Sequence, residues 1–343
     1  MIRSEGYLRP GRFWALMAAG LLLWCAAGWA CLFFGQVGVP PGRVMEILTG
    51  GHGALQDVSI ILRLRLPRVL LGLVVGGGLA VAGASFQALL RNPLATPHTL
   101  GVSAGGALGA VVAISVGWRG PTLGAIGSVQ FFALAGALVN VGVVYLFARR
   151  KGAVSPLMLL LVGVTLGLIC SAMIMFVRFV SDPSKLVMVD RWLMGGLEVQ
   201  GFGSVGAVLP FFLPALVLML SEANTMNQLA MGEEMAVGRG VDVGAVQTKL
   251  FLAGSVLTAA VVSVAGPIGF VGLIVPHAVR GLLGPDHRVL LGVCFFAGGA
   301  FLVVADAVAR SLFAPSQLPV GVLTAMLGGP FFLVLLTRVA RQL

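Results

Sequence analysis

The sequence is short of charge. Of its 343 residues, 10% are Asp, Glu, Lys or Arg, against about a quarter in ordinary soluble domains. Negative charge is the scarcer sign, with 12 Asp+Glu against 22 Lys+Arg and a net charge of +10. There are two tyrosines, four cysteines and four histidines. The hydrophobic share of 58% and the mean hydropathy of +1.03 exceed what a water-soluble globule of this size can hide. A soluble enzyme, a disordered tail and a DNA-binding domain are thereby excluded. The excess of positive charge is read as cytoplasmic flanks of membrane spans, and no nucleic-acid partner is expected. Cys25, Cys31, Cys170 and Cys294 lie in apolar runs without a CxxC, so neither a zinc site nor a disulfide framework is indicated. His52, His98, His277 and His287 are far apart in the sequence, which argues against a metal cluster. No GxxxxGK[ST] or HExxH pattern occurs. The chain therefore binds no ATP through a P-loop, and no cofactor of its own is expected.

What the sequence does have is apolar length. A bilayer span needs about 20 apolar residues. Spans are expected near 13–35, 67–90, 99–118, 123–148, 155–178, 204–221, 245–265, 268–283, 288–312 and 319–337. The eighth is weakened by Pro267, Pro276 and glycines, and the stretch from Arg191 to Leu197 reads as a short interfacial helix. The expected fold class is an all-α polytopic membrane protein, one transmembrane domain over 1–343. The first apolar run is too long for a usual signal-peptide core and is expected to remain as a helix. Ten spans put both termini on one side. Arg149-Arg150-Lys151 in a short loop makes that side cytoplasmic, whereas Arg63, Arg65 and Arg68 argue the other way and need a reason of their own.

Within the spans, small residues recur. Gly76-Gly77-Gly78, the series Gly101, Gly105, Gly109, and Gly163 with Gly167 let helix backbones touch. Ionisable residues are few. Asp306 is the one candidate carboxylate in a span interior, and Arg310 lies four residues on, so the two can pair on one helix face. Scarcity of buried carboxylates counts against a proton-coupled secondary transporter. The lack of a second membrane aspartate counts against an intramembrane protease.

Three longer signals carry the functional reading. The first is Leu64-Arg65-Leu66-Pro67-Arg68, an apolar Gly-rich helix, Gln87 through Asn92-Pro93-Leu94-Ala95-Thr96-Pro97, and Leu100-Gly101-Val102-Ser103-Ala104-Gly105. The second is the connector 227–243, with Leu229-Ala230-Met231-Gly232-Glu233-Glu234 and Gly238-Arg239-Gly240. It reads as a short amphipathic helix ended by Gly, acidic where the sidedness rule expects basic residues. The third runs Gly266-Pro267-Ile268-Gly269-Phe270-Val271-Gly272, Pro276-His277, Arg280, then Asp306 and Arg310, and Leu318-Pro319-Val320-Gly321 to Gly329-Pro330-Phe331. Over roughly 60–338 the chain resembles the permease family of iron-siderophore, haem and vitamin B12 ABC importers. Arg239 stands where the family's coupling stretch usually has Leu.

The resemblance implies a type II ABC importer permease fold in a bacterial inner membrane, with both termini cytoplasmic. It implies a homodimer, two ABC ATPase subunits that bind the ATP and Mg, and a periplasmic or lipid-anchored substrate-binding protein. Arg65, Arg68 and Arg310 would dock that binding protein. The alternative is that Asp306 satisfies Arg310, with Arg65 and Arg68 as helix-entry charges. Leu229, Met231, Gly232, Glu233, Glu234 and Gly240 would contact the ATPase, Leu229 and Met231 as its buried anchors. Asn92, Leu94, Val154 and Ser155 would form the cytoplasmic gate. The cargo would be a bulky metal chelate, a ferric siderophore or haem, with cobalamin as the alternative.

Overall fold

The computed structural model describes residues 10–35, 37–51, 54–118, 127–150, 153–198, 201–312 and 316–340. Lys151 and His52 lie outside them. The chain is a helical bundle: α1 (Pro10–Cys31), α2 (Pro41–Leu48), α3 (Leu55–Ser59), a π-helical turn (Ile60–Arg65), α4 (Leu66–Leu89), α5 (Val102–Val116), α6 (Ser128–Ala148), α7 (Pro156–Val180), α8 (Pro183–Leu193), α9 (Gly203–Ser221), α10 (Ala223–Ala230), α11 (Glu233–Gly238), α12 (Val243–Ala265), α13 (Val271–Leu283), α14 (His287–Leu312) and α15 (Val320–Ala340). One antiparallel two-residue ladder, Arg149–Arg150 with Ala153–Val154, closes the turn before α7.

Each of the ten expected spans is a helix. Seven are long and apolar enough to cross a membrane, and α5, α13 and the described part of α15 are shorter apolar helices. The weakened eighth span begins only at Val271, after an irregular stretch. Both α5 and α13 start from a left-handed residue, Gly101 at φ 76° and Phe270 at φ 65°. The interfacial helix is α8, earlier than expected, and Gly195 after it turns at φ 71°.

The core forms around α4, which packs against α14, α12, α13 and α9. Without a hydrophobic drive inside lipid, tight packing requires backbones to approach, and the glycines of α4 permit this. A Cβ on Gly76 would stand 2.2 Å from the carbonyl oxygen of Gly298, and one on Gly83 would stand 2.0 Å from that of Gly272. These two crossings hold α14 and α13 against α4. The loops then gather at two ends of the bundle, an arginine end and a hairpin end.

Candidate functional site

At the arginine end, the π turn delivers Arg65 and Arg68 to the start of α4. Asp306, buried on α14, takes Arg68 through two bonds, Nη2 to Oδ1 at 2.8 Å and Nε to Oδ2 at 3.0 Å. The same carboxylate pairs with Arg310 Nε at 2.9 Å. The expected Asp306–Arg310 pair is therefore present, but it is one side of a triad that also recruits α4. Arg65 is buried without a carboxylate and donates to the carbonyls of Leu32 (2.9 Å) and Val37. Arg310 reaches the Phe34 carbonyl at 3.3 Å, and its buried Nη2 has no partner among the described residues. Arg65 and Arg310, expected on a docking surface, are each 4% exposed. Both are buried ties that hold Leu32, Phe34 and Val37 to the bundle, because a guanidinium carries enough donors to bind several carbonyls at once.

These three arginines still line an open cleft of about 520 Å³, together with Arg191, Glu198 and Gln317. Arg191 and Glu198 are exposed and paired at 2.8 Å. Several guanidiniums against few carboxylates leave the cleft positive, which suits an acidic partner. The sequence reading missed Arg191, Glu198 and Gln317 as neighbours of the other arginines. They come from the last turn of α8, the α8–α9 loop and the α14–α15 loop, and no spacing signal joins them.

At the hairpin end, the connector is two helices and not one. Gly232 at φ 126° separates α10 from α11, and Gly240 at φ 83° follows α11. Only glycine adopts the first of these angles readily. Leu229 is 2% exposed and belongs to the core of its own chain with Met226. That corrects its expected role as an ATPase anchor: a side chain already packed inside cannot also be inserted into a partner. The exposed apolar side chains are Met231, Met235 and Val237. The amphipathic pattern pointed to Met231 but not to the other two. Glu234 is exposed, while Glu233 is engaged by Arg91 (Nη2–Oε1 2.7 Å) and by Gln247 Nε2 at 3.1 Å.

α10 is anchored more firmly. Asn227 donates to Asp286 Oδ1 at 2.8 Å, and its Oδ1 accepts the His287 backbone N–H at 2.8 Å. Burial pushes the Asp286 carboxyl up, but the bonds from Arg288 and Asn227 outweigh it and hold the group down at about 2.

The residues expected at the gate share this end. Asn92 folds its loop by accepting the Leu94 N–H at 2.9 Å, the local turn its side chain favours. Asn92, Leu94 and Ser155 are partly exposed. Val154 is 1% exposed and packs into the core, so it backs the loop and does not line an opening in this chain. Gly101-Val102-Ser103-Ala104-Gly105 fits the letters of a nucleophile elbow, GxSxG, which requires a strand before the serine. Here Ser103 sits in the first turn of α5, and its buried hydroxyl has no hydrogen-bond partner among the described residues.

A sequence model of the FecCD transport family matches residues 21–338. The cobalamin import system permease protein BtuC of Halobacterium salinarum is 46% identical over 277 residues, 81% of this chain and 73% of that protein. The iron(3+)-hydroxamate import system permease protein FhuG of Bacillus subtilis is 35% identical over 327 residues, 94% of this chain and 96% of that one. The solved structure of the inward-facing conformation of an ABC transporter proposed to be of metal-chelate type superposes with a TM-score of 0.80 at 31% identity, covering 95% of this chain and 99% of that one.

Proposed function

From the premise that the chain belongs to the FecCD transport family, we propose that it moves a bulky metal chelate, a ferric siderophore or haem, inward across the membrane. It is the permease subunit of an ABC importer, and its fold is the type II permease fold. ATP and Mg are bound by two separate ATPase subunits. ATP binding closes them, and that motion enters the permease through the hairpin and drives alternating access. The observation that carries this reading is the hairpin itself. Its inner side chains, Met226, Leu229 and Ala236, are buried in the chain, while Met231, Met235 and Val237 are left exposed beside Glu234. Such a patch on a loop outside the spans suits a protein partner.

The remaining assignments follow from the two ends. The hairpin end faces the cytoplasm, and with it both termini; the membrane is the bacterial inner membrane. The arginine cleft faces outward and receives acidic side chains of a periplasmic or lipid-anchored binding protein. Arg68 and Arg191 present the charge there, while Arg65 and Arg310 hold the cleft in shape. Two copies of the chain form a homodimer, for which the long apolar face of α7 is the surface available. Asn92, Leu94 and Ser155 gate the cytoplasmic end. Asp306 is already shared by two arginines, which disfavours it as a proton carrier and supports an ATP-driven mechanism. Cobalamin is the second reading, favoured by the 46% identity to a cobalamin permease.

The test is uptake by the permease co-purified with its ATPase and reconstituted in liposomes with its binding protein. Ferric hydroxamate, haemin and cobalamin are offered in separate arms. ATP-dependent delivery of the first or second is expected. Delivery of cobalamin alone selects the second reading. Uptake that ignores ATP and follows an ion gradient overturns the importer assignment.

A further inference from the structure

Arg91 is a non-glycine residue in the left-handed region, at φ 45°. It closes α4 in a specific way. The Arg91 N–H donates to the Ala88 carbonyl at 3.3 Å, and the Asn92 N–H reaches back to the Gln87 carbonyl at 3.2 Å. This is the Schellman arrangement, and its left-handed position is the one where glycine is preferred. An arginine there carries a backbone cost that glycine avoids. A strained position at a site of function invites a reason in its side chain.

That side chain crosses to the hairpin. Arg91 Nη2 meets Glu233 Oε1 at 2.7 Å, and Gln247 Nε2 holds the same oxygen at 3.1 Å. Glu233 is the first residue of α11, which has positive-φ glycines on both sides, Gly232 and Gly240. α10 is pinned to α14 through Asn227, whereas α11 is joined to its neighbours through positive-φ glycines. On the other side of the ion pair, Arg91 precedes Asn92 and Leu94 in the partly exposed loop that the importer reading assigns to the cytoplasmic gate.

We propose that the Arg91–Glu233 ion pair transmits movement of α11 to the 90–95 loop, and that Arg91 occupies the left-handed turn for its side chain and against its backbone preference. The inference rests on the importer reading above. Arg91 and Glu233 are then positioning residues, since neither needs to touch the cargo. The pair is half-exposed, with side-chain accessibilities of 41% and 46%, so its effect on coupling is modest and screened by salt.

The experiment uses the complete transporter in liposomes and reads ATP hydrolysed per molecule delivered, with the same three chelates as probes, alongside the melting temperature of each variant. Arg91→Gly relieves the turn while cutting the link. It is expected to melt at or above the wild-type temperature and yet to consume about threefold more ATP per molecule delivered. Glu233→Gln, which leaves the turn untouched, is expected to do the same. The double variant is expected to be no worse than either single one, and Arg91→Lys to retain most of the coupling. Wild-type stoichiometry in Arg91→Gly and Glu233→Gln overturns the proposal, as does a double variant whose losses add. A wild-type complex that delivers nothing with ATP overturns the importer reading itself, and this inference with it.

Discussion

α4 and α7 are nearly equal in length and both are strongly apolar, α7 the more so. Of the 24 residues of α4, 20 are buried; of the 25 of α7, three are, Leu159, Gly163 and Cys170. Hydropathy cannot explain the difference. Side-chain size does. α4 carries Gly72, Gly76, Gly77, Gly78 and Gly83 among alanines, so other backbones can close on it from every side. α7 is built of Leu, Met, Val and Phe and leaves Leu161, Leu168, Phe176 and Phe179 exposed. The helix with the smaller side chains becomes the core. The helix with the larger ones keeps a free apolar face for lipid or for a second copy.

The same contrast governs the ion pairs at the arginine end of each helix. α4 is tied through Arg68 to buried Asp306, while Arg178 of α7 pairs with Asp190 and both side chains are more than a third exposed. Removing one partner of a buried pair leaves uncompensated charge, whereas exposed pairs contribute little. Asp306→Asn is therefore the most damaging change and is expected to cost about 3–5 kcal/mol, read as a large drop in the melting temperature of the solubilised protein. Gly83→Ala comes next, at about 1–3 kcal/mol. It belongs near the upper end, because the atoms in the way are the Gly272 backbone and cannot rotate aside. Arg178→Gln is expected to cost no more than about 1 kcal/mol. Gly167→Ala, on the open face of α7 with nothing within 4 Å of the added methyl, should stay within about 0.5 kcal/mol. Equal melting temperatures for Gly83→Ala and Gly167→Ala would collapse the distinction between the two helices. If Gly167→Ala proves costly only in the assembled complex, the face of α7 is occupied by a partner and the distinction sharpens.

Much of this was legible in the residues. Apolar length located ten helices, and the i, i+4 spacing of Asp306 and Arg310 foretold their pair. The misfit of Arg65 and Arg68 with the sidedness rule marked a region with a purpose of its own. What could not be read was which partner each group would meet. Arg65 turns inward because Leu32 and Val37 offer carbonyls there. Arg68 finds Asp306 across 238 positions of sequence. Leu229 and Met231 look alike in an amphipathic pattern, yet Leu229 lies on the buried face of α10 and Met231, two positions on, caps its exposed end. Val154 is drawn into the core by its short ladder with Arg149.

Composition and local pattern by themselves determined that this chain lives in a membrane, where its apolar helices lie, and which motifs place it among chelate importers. Those properties follow from transfer free energy and spacing along the chain, which are local. The tertiary structure alone decided which apolar helix is core and which is surface, which arginines bind inward, and that Arg91 reaches Glu233. Those outcomes depend on contacts between residues far apart in sequence, where a few ångströms of backbone approach, set by glycine, select one neighbour over another.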